Sequence, residues 1–115
     1  MELPWPPSVN HYYEPTARGG RRVGKRGKAY RTNVFAHWFA MGPKRPRFGS
    51  RLIHMHLSLY PPGTGYDIDN GLKALLDAME KAGVYDDDNQ IRKLTIEMME
   101  PTRGGRVVVR IQTAL

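Results

Sequence analysis

Two aspartates, Asp67 and Asp69, stand two residues apart in "GYDIDNGLK", and Asp86, Asp87 and Asp88 follow in "VYDDDNQI". At this spacing, extended backbone points both members of the first pair to the same side. Carboxylates held close repel, and one tends to take up a proton unless a cation intervenes. A hard divalent ion such as Mg²⁺ removes that conflict, because it takes oxygen ligands and commonly joins one or two carboxylates to a substrate phosphate. A third carboxylate from the Asp86–Asp88 triplet can complete such a site. Lys73, four residues after Asp69, adds a cation that can stabilise charge building on a reacting phosphate. Asn70 can orient a ligand or a water from behind.

Plainer roles exist for each residue. Asp69 is placed to cap a helix, Lys73 to make a surface ion pair, and the triplet to sit in a solvated loop. The triplet is no calcium-binding loop, which alternates its acids and needs a glycine at the sixth position and a glutamate at the twelfth. His54 and His56 share a strand face, but with no third His or Cys nearby they suit a half-exposed sheet surface better than a metal.

The acid is concentrated. Of eleven Asp and Glu residues, seven lie between Gly65 and Ile91, in a chain of formal net charge +7. The base is concentrated elsewhere: eleven of eighteen Lys and Arg fall between Arg18 and Arg51. "TARGGRRVGKRGKAYR", with Arg18, Arg21, Arg22, Lys25, Arg26 and Lys28, reads as a mobile basic arm over about 15–27. Such an arm can wrap phosphates and release their counterions. There is no cysteine, which fits a reducing compartment. "MELPWPPSVN" is not a secretory leader, and no apolar run approaches the ~20 residues of a membrane span.

The elements that must position these groups are few. Tyr30, Val34, Trp38 and Met41 mark one face of a helix over 28–41, ended by Gly42-Pro43. "RLIHMHLSLY" alternates as a half-buried strand. Leu72, Leu75, Leu76 and Met79 stripe a helix from about Asn70 to Ala82, with Gly83 as its stop. Leu94, Ile96 and Met98 alternate in a further strand, "PTRGG" turns the chain, and "RVVVRIQTA" is expected as its hairpin partner. The fold expected is α+β, a small mixed sheet with two main helices packed on it, in one domain over 1–115. A helix of that length is about 20 Å long, so Asp88 reaches its start only if the following loop doubles back, the helix is shorter, or a second subunit contributes.

"LPWPPSVNHYY", "YDIDNGLKALLDAMEKAG" and "VYDDDNQI" together resemble the RusA family of Holliday junction resolvases from bacteria and their phages. The joint pattern is specific: Asp-x-Asp-Asn, a lysine three residues on, a Leu-rich helix ending in Lys-Ala-Gly, then an acidic loop ending in Asp-Asn-Gln. The resemblance implies a Mg²⁺-dependent endodeoxyribonuclease, with Mn²⁺ able to substitute, that cuts four-way DNA junctions as a homodimer in the cytoplasm of a bacterial or phage-infected cell. It implies metal ligands at Asp67, Asp69 and Asp88, a catalytic lysine at Lys73, and supporting places for Asn70 and Asp87. The alternative is a basic nucleic-acid-binding protein of the same fold without catalysis.

Overall fold

Along β4 (Ile53–Tyr60), Ile53, Met55, Leu57 and Leu59 are buried, while His54, His56, Ser58 and Tyr60 are half-exposed. This alternation makes β4 the centre of the sheet. The computed structural model, which describes residues 1–114, flanks it with β5 (Ile91–Met98), parallel, and β6 (Arg106–Thr113), antiparallel; β1 (Glu2–Leu3) pairs with the far side of β6. The strand order is β1-β6-β4-β5. The chain is therefore α+β with a mixed sheet, as its patterning implies.

The expected hairpin between the last two strands does not form. β4 lies between them, because α3 (Leu72–Ala82) carries the chain from β4 to a parallel β5. The "PTRGG" loop then crosses the end of β4, held by Met99 N–H to Leu59 O at 2.7 Å and Thr102 N–H to Pro61 O at 2.8 Å. β6 thus enters on β4's other side. Both helices cover one face. Leu75 and Met79 of α3 and Tyr30, Val34 and Trp38 of α2 (Lys25–Phe39) share one buried cluster with β4, Leu3, Val107 and Val109.

The helix boundaries differ from the sequence expectation. α2 begins three residues earlier, at Lys25, and Met41 lies beyond its end and is exposed. α3 begins at Leu72 rather than Asn70, with Gly71 at the N-cap and no side-chain cap; Asp69 contributes only its carbonyl, to Leu72 N–H at 3.1 Å. Its carboxylate is therefore not used as a helix cap. Gly83 does end α3, at φ +108°, a conformation that favours glycine.

The segment 15–27, expected as an unpacked arm, has structure. β2 (Tyr13–Pro15) and β3 (Arg21–Val23) form a hairpin, and Lys25 onward is helical. The short helix α1 (Val9–Tyr12) joins this hairpin to the core through Tyr12, which is fully buried. Local composition pointed to solvent, but the Tyr12 anchor acts at long range. Its hydroxyl donates to Asp77 on α3, and Arg31 of α2 donates to the same carboxylate oxygen at 2.6 Å. Gly27 closes the joint, since a side chain there would overlap the Tyr12 carbonyl and Val23.

Candidate active site

After α3 the chain does fold back. Gly83 turns it, Val84 N–H bonds Met79 O, and Phe48 N–H bonds Val84 O. Tyr85, buried, donates its hydroxyl to Leu76 O at 2.7 Å, which draws residue 85 level with the middle of α3. A 3₁₀ turn over Asp88–Gln90 follows, capped by Asp87, whose side chain accepts from Asn89 N–H at 2.9 Å.

Gln90 holds this loop in place. The residue is 5% exposed, and its side chain uses its full hydrogen-bonding capacity. Its Oε1 accepts from Asp86 N–H at 2.9 Å and Asp87 N–H at 2.7 Å. Its Nε2 donates to Gly49 O and Arg51 O, each at 2.7 Å. One buried amide thus ties the acidic loop to the segment entering β4. In the sequence Gln90 is visible only as the last letter of the acidic motif.

The result is a meeting of the two ends of α3. Lys73, in the first turn, brings Nζ to 3.8 Å from Asp88 Oδ2. Glu80, two turns further along, accepts Asp88 N–H on Oε1 at 3.0 Å. Glu80, Asp87 and Asp88 offer carboxylate oxygens that all lie within 4.8 Å of one another. This oxygen-only donor set suits a hard divalent cation. The negative field there is felt by Tyr85, whose phenol is pushed well above its ordinary value, first by burial and then by Asp88, Glu80 and Asp77.

Asp67 and Asp69 lie on the exposed turn that enters α3, and among the described residues they are in no group of three ligand atoms within that 4.8 Å span. Asp88 is grouped with Asp87 and Glu80 and stands 3.8 Å from Lys73. Glu80 was not singled out in the sequence. The signal was available, since Lys73 and Glu80 are seven residues apart and share a helical face.

The Asp67 turn has its own setting. Val9 N–H bonds Asn70 O at 3.0 Å, and Pro6 packs where a side chain on Gly71 would stand. The "PWPPSVN" segment thus braces the turn. Asp67 and Asn70 line an open groove of about 370 Å³ together with His11, Tyr66, Trp5 and Arg26. Arg26, from the first turn of α2, is the basic-segment residue that lines this groove with Asp67. Arg21 stacks over Tyr13 and Arg22 pairs with Glu14 at 2.8 Å. Arg18, Lys25 and Lys28 are exposed. His54 and His56 sit on the opposite sheet face, with His56 Nε2 2.6 Å from Glu97.

Fold and site together define an α+β domain of basic charge with carboxylates and a lysine gathered beside one helix, a composition suited to phosphodiester chemistry. Residues 4–112 match the family model described as Endodeoxyribonuclease RusA, and the chain belongs to that family. It is similar to the crossover junction endodeoxyribonuclease RusA of Escherichia coli (strain K12), with 37% identity over 96% of this chain and 91% of that protein. It is also 36% identical, over the same shares, to proteins of that name from Enterobacteria phage 82 and Shigella sonnei (strain Ss046).

Proposed function

We propose that this chain is a Mg²⁺-dependent endonuclease that resolves four-way DNA junctions, acting as a homodimer. The observation that carries the reading is the approach of Asp88 to Lys73, which joins the acidic loop to the helix start that follows Asp67 and Asp69. Family membership and the names of its relatives support the substrate.

In this reading Asp67, Asp69 and Asp88 would hold the ion, supported by Asp87 and Glu80 on the acidic side of the site. When bound, the ion supplies Lewis acidity at the phosphate and a more acidic water. The protein's own groups do the rest. Lys73 offsets negative charge accumulating on the phosphate oxygens, and its pairing with Asp88 aims it at the acidic loop. Asn70 orients the acidic turn. Arg26, in the groove beside Asp67, holds the strand, while Arg18, Arg21, Arg22, Lys25 and Lys28 add counter-charge for flanking phosphates. Hydrolysis forms one P–O bond from water and breaks one to the leaving sugar oxygen, which takes a proton. A four-way junction has approximate two-fold symmetry, so a C₂ dimer presents one site to each of two opposing strands.

The test is cleavage of a synthetic four-way junction beside linear duplex, with and without Mg²⁺, by the unmodified protein and by Asp69→Asn. The expected result is junction-selective, Mg²⁺-dependent cutting that Asp69→Asn abolishes while binding persists or tightens. Wild-type cleavage rates in Asp69→Asn would remove that residue from the site. Sedimentation of the DNA complex as a monomer would remove the paired-cut model.

A further inference from the structure

The sheet face turned away from the helices is built differently from the covered one. The β4 register with its neighbours places His54, Lys93 and Gln112 in one row and His56, Thr95 and Arg110 in the next. These six side chains line an open groove of about 310 Å³. The helices pack on the other face, and among the described residues no element covers this one.

Its chemistry says what kind of cover fits. The two acids on this face are already engaged, Glu97 with His56 at 2.6 Å and Glu2 with Arg106 at 3.1 Å. Among the described residues, Lys93, Arg110 and His54 make no ion pair and no side-chain hydrogen bond. A groove lined by unpaired cations, an amide and a hydroxyl is a poor seat for an apolar surface. It is also a poor seat for a second copy, because a two-fold interface sets the same patch against itself and would bring like charges together. The two cations lie on opposite sides of β4 and in successive rows. Strand spacing and rise put their Cα atoms roughly 12 Å apart, so each can take its own phosphate of a polymer.

We propose that this groove is a second DNA site, seating the sugar–phosphate backbone of a duplex arm on the sheet face away from α2 and α3. It rests on the reading of branched DNA as substrate. A junction engaged by the α3 site has further arms, and this face gives one of them a docking surface independent of the carboxylates.

The experiment is binding of a labelled four-way junction without Mg²⁺, across a salt series, by the full chain and by the double variant Lys93→Gln/Arg110→Gln. Loss of two phosphate contacts should lower the slope of log K against log salt by about 1.8 and weaken binding about 10-fold or more near 100 mM salt. Cleavage at saturating protein should stay within about 2-fold, since neither residue belongs to the α3 site. Lys93→Arg/Arg110→Lys should restore the wild-type slope. An unchanged slope in the neutral variant overturns the proposal. So does a conservative variant as defective as the neutral one, or an altered sedimentation coefficient of the free protein, which would make the face a protein interface. Failure of the unmodified protein to bind or cut junctions would instead sink the functional reading itself; normal cutting with an unchanged slope sinks only this one.

Discussion

Lys73 lies in the first turn of α3 and Asp88 in the loop that follows its last, yet Oδ2 and Nζ lie 3.8 Å apart. The contact exists because the loop after Gly83 runs back along the helix and is fixed there by Tyr85, Glu80 and Gln90. Lys73 is thereby placed where it can act on a phosphate brought to the acidic loop.

Replacing Lys73 with alanine should therefore cut the chemical step by roughly 10²–10³-fold, the range for losing one group that stabilises transition-state charge. Junction affinity should change little, since one exposed cation among eighteen is removed. Single-turnover cleavage at saturating protein separates the two effects. A loss seen only in affinity would make Lys73 a binding residue.

Glu80→Gln tests the acidic cluster beside it. Glutamine keeps an oxygen to accept Asp88 N–H but removes one negative charge from the three-carboxylate group. The expected outcome is unchanged thermal stability with divalent-ion affinity lowered about 10-fold, the scale for a supporting group near a metal. Titration with Mn²⁺ monitored by calorimetry reads this directly. Should Glu80→Gln abolish binding of the ion while Asp69→Asn leaves it intact, the ligand set is the one gathered by Glu80, Asp87 and Asp88.

Gln90→Glu places a charged oxygen against the Gly49 and Arg51 carbonyls in place of a donor. Two carbonyls in this part-buried contact lose their donor, at up to about 1–3 kcal/mol each. The variant should melt well below the wild type and lose cleavage through displacement of the acidic loop. Gln90→Met, of similar size but without the polar head, should lose stability for the same reason. Urea denaturation alongside cleavage at low temperature distinguishes global unfolding from loop displacement, and a fully stable, fully active Gln90→Met contradicts the anchoring role.

The Tyr12–Arg31–Asp77 cluster governs acid stability. Burial, the largest single influence on Asp77, pushes its pKa up, but hydrogen bonds from Tyr12 and Arg31 and the Arg31 charge outweigh it, leaving the carboxyl below its ordinary 3.8. The folded pKa is depressed, so the contribution is fully present above the unfolded value of about 3.9 and fades as pH falls through the folded one. Asp77→Asn should cost about 3 kcal/mol near neutral pH, since Arg31, 28% exposed, loses its partner. The deficit against wild type should shrink below about pH 4. Thermal melts from pH 3 to 7 check this; a deficit independent of pH would assign the stability to shape rather than charge.

Several features were legible in the chain itself. Alternation along Ile53–Tyr60, the Leu72–Met79 stripe and Gly83 as a stop are local patterns, set by side-chain direction within one element. The separation of acid from base needs no fold to be seen. The family motif joined these pieces, with Asp88 and Lys73 in it. What lay outside local pattern was partner choice. β6 joins β4 rather than β5 because a parallel crossover leaves β4's other edge open. The 13–27 segment folds into a hairpin and helix start because Tyr12 and Arg31 converge on Asp77 from separate elements. Glu80 and Gln90 acquire their roles only when the acidic loop doubles back onto α3. Composition and spacing determined which chemical groups this protein holds and on which elements; tertiary structure decided which of them meet, because pairing and loop path follow from long-range burial and hydrogen bonding that no short window contains.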